Sequence, residues 1–161
     1  KVADETFCSD RSISSGSGYL TTPTTFYGPY KRLYDNKKPS LKCSQNNDKF
    51  KMSNESAKLD YPVGLILADE VALAGGRAYY NEAYSPNSNY YLYNGKYYWT
   101  LSPSYFDSYY SIALVWHVLP SGSLNPWNNV TNSIGVRPDS YYKLGLSILY
   151  LTVNYRLRLI I

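Results

Sequence analysis

The chain has 161 residues, 44% of them hydrophobic and 17% charged, and carries a formal net charge of +4. That length suits a single domain burying about 70% of its unfolded surface, and the apolar share excludes disorder throughout. No run approaches the ~20 apolar residues of a membrane-spanning helix, and the basic run Lys31, Arg32, Lys37, Lys38 and Lys42, broken by Asp35, is too sparse for a phosphate-binding stripe.

Neither nucleic-acid binding nor membrane insertion is therefore expected, and no cofactor motif is present. The chain opens on Lys1 rather than Met, so the single domain 1–161 is expected to be the C-terminal part of a longer protein. Cys8 and Cys43 are the only cysteines. Their spacing allows either one disulfide or two reduced, buried thiols. A composition rich in Tyr, Ser and Asn has an extracellular character that favours the disulfide.

Ser9 to Thr25 is Ser, Thr and Gly with Ile13, Tyr19 and Leu20 as isolated anchors, and reads as a long surface loop. Between Phe26 and Cys43, Gly28-Pro29 and Lys38-Pro39 read as turns, and a second polar loop runs from Asn46 to Lys58. The best helix lies within Leu65 to Gly76, its body at about 68–75. Leu67, Val71 and Ala74 recur at helical spacing, Asp69 and Glu70 suit the positive end, and Gly75 offers a left-handed stop. Tyr90 to Tyr93, Asn94-Gly95 and Lys96 to Leu101 form a hairpin signature with a type I′ turn. Ile112 to Leu119 is apolar on both faces apart from His117, as a central strand should be, and Pro120 to Gly122 ends it. From Leu149 to Ile161 apolar residues hold the odd positions, which predicts a half-buried strand. Extended back to Leu144, that strand needs a bulge near Gly145 to Ile148.

Six phrases then stand in order: Phe7-Cys8-Ser9-Asp10-Arg11-Ser12, Leu41-Lys42-Cys43, Tyr61-Pro62-Val63-Gly64-Leu65-Ile66, Ala68-Asp69-Glu70-Val71, Tyr98-Trp99-Thr100-Leu101-Ser102-Pro103 and Gly135-Val136-Arg137-Pro138. Together they resemble a domain of unknown function from secreted and surface proteins of gut Firmicutes. Its core is similar to the formylglycine-generating-enzyme and C-type-lectin-like superfold. The resemblance covers about Phe7 to Pro138, and Asp139-Ser140-Tyr141-Tyr142 departs from the short apolar strand that relatives carry next. It implies an α+β fold of twisted antiparallel strands with one short helix and long loops. Cys8 and Cys43 fall in early, loop-rich sequence, not in the late segments where the oxidase relatives carry their active cysteines, so that activity is not expected.

Chemistry-bearing residues are few. No nucleophile elbow, His-Glu-x-x-His pair or phosphate-binding glycine loop occurs. His117, in an apolar strand, reads as a hydrogen-bonded core residue ahead of a base or ligand. Asp69 and Glu70 point about 100° apart on a helix and do not face each other. Asn125-Pro126-Trp127-Asn128-Asn129 faintly resembles the Trp-Asn-Asp phrase of calcium-dependent lectins, but neutral amides make poor calcium ligands. Trp127 is more readily read as packing under a hairpin loop.

Twenty tyrosines remain as the main signal. In a strand, adjacent tyrosines face opposite ways, so one of each pair is expected inside, with roughly half of all tyrosines serving as core filler. The rest, beside amides and hydroxyls, suit stacking on a sugar or docking on a protein. The candidate binding residues are Tyr80, Tyr84, Asn89, Tyr91, Tyr93, Tyr105, Tyr109, Trp127 and Asn128, with no catalytic or metal residue assigned. The expected function is a noncatalytic extracellular or cell-surface recognition module whose partner is a host or microbial glycan or protein. A structural spacer is the alternative, and an enzyme built around His117 is the third reading. A contiguous exposed tyrosine patch favours recognition, and dispersed tyrosines favour a spacer.

Overall fold

A computed structural model of the chain describes residues 3–78 and 87–140. The expected strand from Leu144 to Ile161 with its bulge, and the candidate residues Tyr80 and Tyr84, lie outside the described residues. In chain order the strands are β1 (Phe7–Cys8), β2 (Ile13–Ser15), β3 (Thr25–Tyr27), β4 (Lys49–Phe50), β5 (Gly64–Leu65), β6 (Tyr98–Asp107), β7 (Ile112–Val118), β8 (Leu124–Asn129) and β9 (Pro138–Asp139). Helix α1 (Gly28–Tyr30) follows β3 and runs on through a π-helical turn, Lys31–Asp35, while α2 (Ala68–Leu73) follows β5. Every pairing between strands is antiparallel: a five-stranded sheet in the order β2-β3-β6-β7-β8, and the two-stranded ribbons β1-β4 and β5-β9. The architecture is α+β.

Side-chain alternation explains the sheet. Along β6, Tyr98, Thr100, Ser102, Ser104 and Phe106 are buried and the residues between them half-buried, the period of two that a strand imposes. In β7, Trp116 and Val118 meet Tyr98 of β6 and Leu124 of β8 in one apolar cluster, onto which Ile66, Leu92 and the α2 residues Ala68 and Val71 pack. Burying each such aliphatic side chain contributes about 1.5–3 kcal/mol. As the apolar run predicts, β7 is an interior strand, and the turn after it closes with Gly122 donating to the carbonyl of Leu119.

The short helix sits where its spacing predicts. Glu70 reaches back to accept the Leu67 backbone N–H at 3.0 Å, a cap on the first turn. Gly75, at φ +115°, leaves the helix in the left-handed region. Asp69 does something its sequence position did not announce. Its carboxylate is 1% exposed and receives Nε and Nη2 of Arg32 at 2.6 and 2.7 Å, while Nη1 of Arg32 reaches Asp10. Arg32 thus stands apart from the rest of the basic run; it ties the turn after α1 to α2 and to the loop after β1.

Three local expectations are corrected. Tyr90 to Tyr93 is a turn, closed by the Tyr93 N–H on the Tyr90 carbonyl, and does not pair with β6. Leu92 is fully buried there and its carbonyl accepts the hydroxyl of Tyr98 and Nη1 of Arg137, so this segment plugs the core instead of lying beside the sheet. Gly95 alone takes positive φ, whereas a type I′ turn needs it at two residues. The hairpin partner of β6 is β7, joined by a turn in which Asp107 accepts the N–H groups of Tyr109 and Tyr110 and Ser111 takes φ +53°. Next, the polar stretch after Ser9 is not all loop: β2 pairs with β3 at the edge of the sheet, held where the Thr25 hydroxyl accepts from Ser17 and Gly18. Finally, Gly28-Pro29 starts a helix, since proline has no N–H to lose in a first turn. Cys8 and Cys43 are bridged, with Cα atoms 5.8 Å apart, pinning β1 to the segment before β4.

Candidate functional site

Tyrosine exposure is uneven and scattered. Tyr90 and Tyr98 are buried beside exposed Tyr91 and Tyr97, one inside and one outside in each pair, although Tyr90 and Tyr91 stand in a turn and not a strand. Tyr109 and Tyr110 are both exposed, because they occupy a turn and not a strand, and their rings meet edge-on at 4.7 Å. Asn89, Tyr91 and Tyr93 stand on the exposed turns before β6, whereas Tyr109 lies past its far end, roughly 30 Å along a ten-residue strand. Tyr105 is half-buried with its face against Phe26 at 5.2 Å. Phe26 continues to Tyr30 and Tyr30 to Tyr34, ring on ring at 4.7 and 4.9 Å, so these faces are used to seat α1 on the sheet. The seven expected binding residues that are described do not form one site. Among those described, the structure brings only Trp127 and Asn128 together.

They meet in a groove of about 480 Å³ at the β8 edge of the sheet, walled by Tyr97, His117, Asn125 and Asn132 as well. A bulge builds it. Val115 pairs with Asn128 but His117 pairs with Asn125, so β8 carries one residue more than β7 across this stretch. A bulge re-aims the side chains that follow it, and an edge strand tolerates Pro126 within it. Trp127 and Tyr97 are 40% and 48% exposed, and Trp127 is braced edge-on by Tyr34 at 5.8 Å.

The asparagines are fixed by their own loop. Asn125 Oδ1 accepts the Trp127 N–H at 2.8 Å, and Asn128 Oδ1 accepts from Nδ2 of Asn132 at 2.6 Å. Among the described residues this leaves the amide nitrogens of Asn125 and Asn128 and the amide oxygen of Asn132 without hydrogen bonds. Two planar donors and one acceptor therefore stand beside two exposed aromatic rings. The same bonds engage the oxygens that a calcium ion would need, and among the described residues no group of three or more His, Cys, Asp and Glu is placed to hold a metal.

His117 backs the groove. It is 5% exposed, Tyr97 lies parallel to its ring at 6.2 Å, and Trp99 approaches edge-on. Burial pushes its pKa down to about 4, against a smaller upward effect of a hydrogen bond to the Asn125 backbone. The imidazole is neutral at physiological pH, and among the described residues no carboxylate lines the groove to pair with it. Because the unfolded chain takes up this proton near pH 6.5 and the folded chain only near 4, stability falls as pH drops between those values. The loss is expected to approach about 2–3 kcal/mol at the acid end, allowing for partial solvent screening. Urea denaturation from pH 7 to 4.5 measures it, and His117→Gln should flatten the slope; an unchanged slope would assign it to other groups.

Two further hollows offer less. One, of about 320 Å³, borders the Cys8–Cys43 disulfide and Glu70; the other, of about 330 Å³, borders Lys31, Phe26 and Tyr30, and the last two rings already cover one another. Sequence reasoning missed Tyr97, Asn125 and Asn132 as groove residues. The available signal was the series Asn125, Trp127, Asn128 and Asn132 along an edge strand and its turn. No protein-family model, curated protein or solved structure matches this chain.

Proposed function

We propose that this domain is a noncatalytic recognition module of an extracellular or cell-surface protein and that it binds carbohydrate in the groove between Tyr97 and Trp127. One observation carries the reading: exposed indole and phenol rings share a groove with amide groups that keep two donors and one acceptor unspent. Sugar rings present C–H faces for stacking and equatorial hydroxyls for planar amides, so these two features suit one ligand. The disulfide is compatible with an oxidising compartment, and no helix among the described residues is long and apolar enough to cross a membrane. The antiparallel sheet, short helix and long loops, together with the six sequence phrases, support a C-type-lectin-like domain of the surface proteins of gut Firmicutes.

A glycan array, backed by a pull-down from mucosal extract, tests the reading. Trp127→Ala should weaken sugar binding by about 2 kcal/mol, roughly thirtyfold, while costing the fold about 1 kcal/mol or less. Equal binding by the variant would remove the groove from the account. One observation favours the spacer alternative: among the described residues, exposed Tyr91, Tyr93 and Tyr97 precede β6 while exposed Tyr109 and Tyr110 follow its far end. Correctly folded protein that is blank on both the array and the pull-down would leave the spacer.

A further inference from the structure

The groove differs from its surroundings in charge. Sixteen lysines and arginines and twelve acidic residues are spread over the chain, yet among the described residues the groove is lined by no Lys, Arg, Asp or Glu. Lys96, next to Tyr97 in the chain, is exposed and outside the lining. We infer that the sugar taken by this groove is uncharged, a neutral hexose or N-acetylhexosamine unit and not a uronic or sialic acid, and that it is held without a metal ion. This rests on the carbohydrate reading above and narrows it.

Desolvation sets this preference. A hydroxyl or acetamido group entering the groove exchanges water for the free N–H of Asn125 or Asn128, or for the amide oxygen of Asn132, at little net cost. A carboxylate entering the same space loses its hydration and meets no guanidinium or ammonium among the described residues that line it, a penalty that neutral amides only partly offset. His117 offers no help, since burial keeps its imidazole neutral. The amide oxygens of Asn125 and Asn128, the groups by which this phrase could hold calcium, are already accepting from Trp127 and Asn132. Apolar Leu119 and Ile134 complete the lining, as suits the hydrocarbon face of a sugar ring.

The test uses matched probes on the full chain. Glucose, galactose, N-acetylglucosamine and N-acetylgalactosamine are compared with glucuronic, galacturonic and N-acetylneuraminic acids, at low and high salt, with and without EDTA. Intrinsic tryptophan fluorescence and calorimetry give the affinities. At least one neutral sugar should bind, its acidic counterpart should bind about tenfold or more weakly, and neither salt nor EDTA should change the neutral affinity. An acidic sugar binding as tightly as its neutral counterpart, or binding abolished by EDTA, would overturn this inference while leaving a carbohydrate module in place. Failure of every sugar on both the panel and the array would remove the module and the inference together.

Discussion

Replacing Asp69 with alanine should destabilise the domain by about 3 kcal/mol, more than any other single side-chain change discussed here. The carboxylate is 1% exposed and accepts three hydrogen bonds: two from the Arg32 guanidinium and one from the Ser40 N–H at 2.8 Å. Arg32 is itself only 18% exposed, and its remaining arm reaches Asp10. Burial would raise the Asp10 carboxyl, but hydrogen bonds from Ser12 and Arg32 outweigh it and hold the group below its usual range. Without Asp69, a half-buried guanidinium keeps one carboxylate where it had two, and the Ser40 N–H loses its acceptor. Asp69→Asn should lose nearly as much, because its amide N–H groups face a donor. The double change Asp69→Ala with Arg32→Ala should cost less than the sum of the two single changes, since it leaves no buried cation behind. Urea denaturation of the four proteins measures the cycle, and a loss under about 1 kcal/mol for Asp69→Ala would show the network to be incidental.

Opening the disulfide should cost slightly more. Cys8 and Cys43 close a loop of 35 residues, for which the chain-entropy argument gives about 3–4 kcal/mol. That loop contains β2, β3, α1 and the Arg32 anchor, so its release loosens one edge of the sheet and the helix on it. The Cys8→Ser, Cys43→Ser protein should melt about 10 °C lower for a domain of this size. A shift within about 2 °C would mean that the sheet and the Arg32 network already restrain the loop without the bridge.

What could be read in the sequence follows the range of the forces involved. The short helix, its Glu70 cap and its Gly75 stop rest on contacts between residues three or four apart, and the strand at Ile112–Val118 rests on local composition. These are visible one window at a time. The hairpin at Asn94-Gly95 failed because a distant residue, Arg137, and the hydroxyl of Tyr98 claim the Leu92 carbonyl, drawing the segment into the core. Arg32 looked like one of several surface cations because its two carboxylate partners stand 22 and 37 positions away. Tyrosine abundance pointed to exposed aromatic rings but not to which of them share a site. That depends on a β8 bulge opposite Val115 and His117, which brings Trp127 and Asn128 to a groove that Tyr97 enters from another strand's approach.

We propose that the ligand sits in this groove and not at the tyrosine turn of Tyr109 and Tyr110. Titrating isotopically labelled protein with a neutral sugar while following the indole N–H of Trp127 and the side-chain amides of Asn125, Asn128 and Asn132 tests it most directly. Saturable shifts at these four groups, with Tyr109 and Tyr110 unmoved, are the predicted result. Shifts centred on Tyr109 and Tyr110, with the Trp127 indole unmoved, would contradict it.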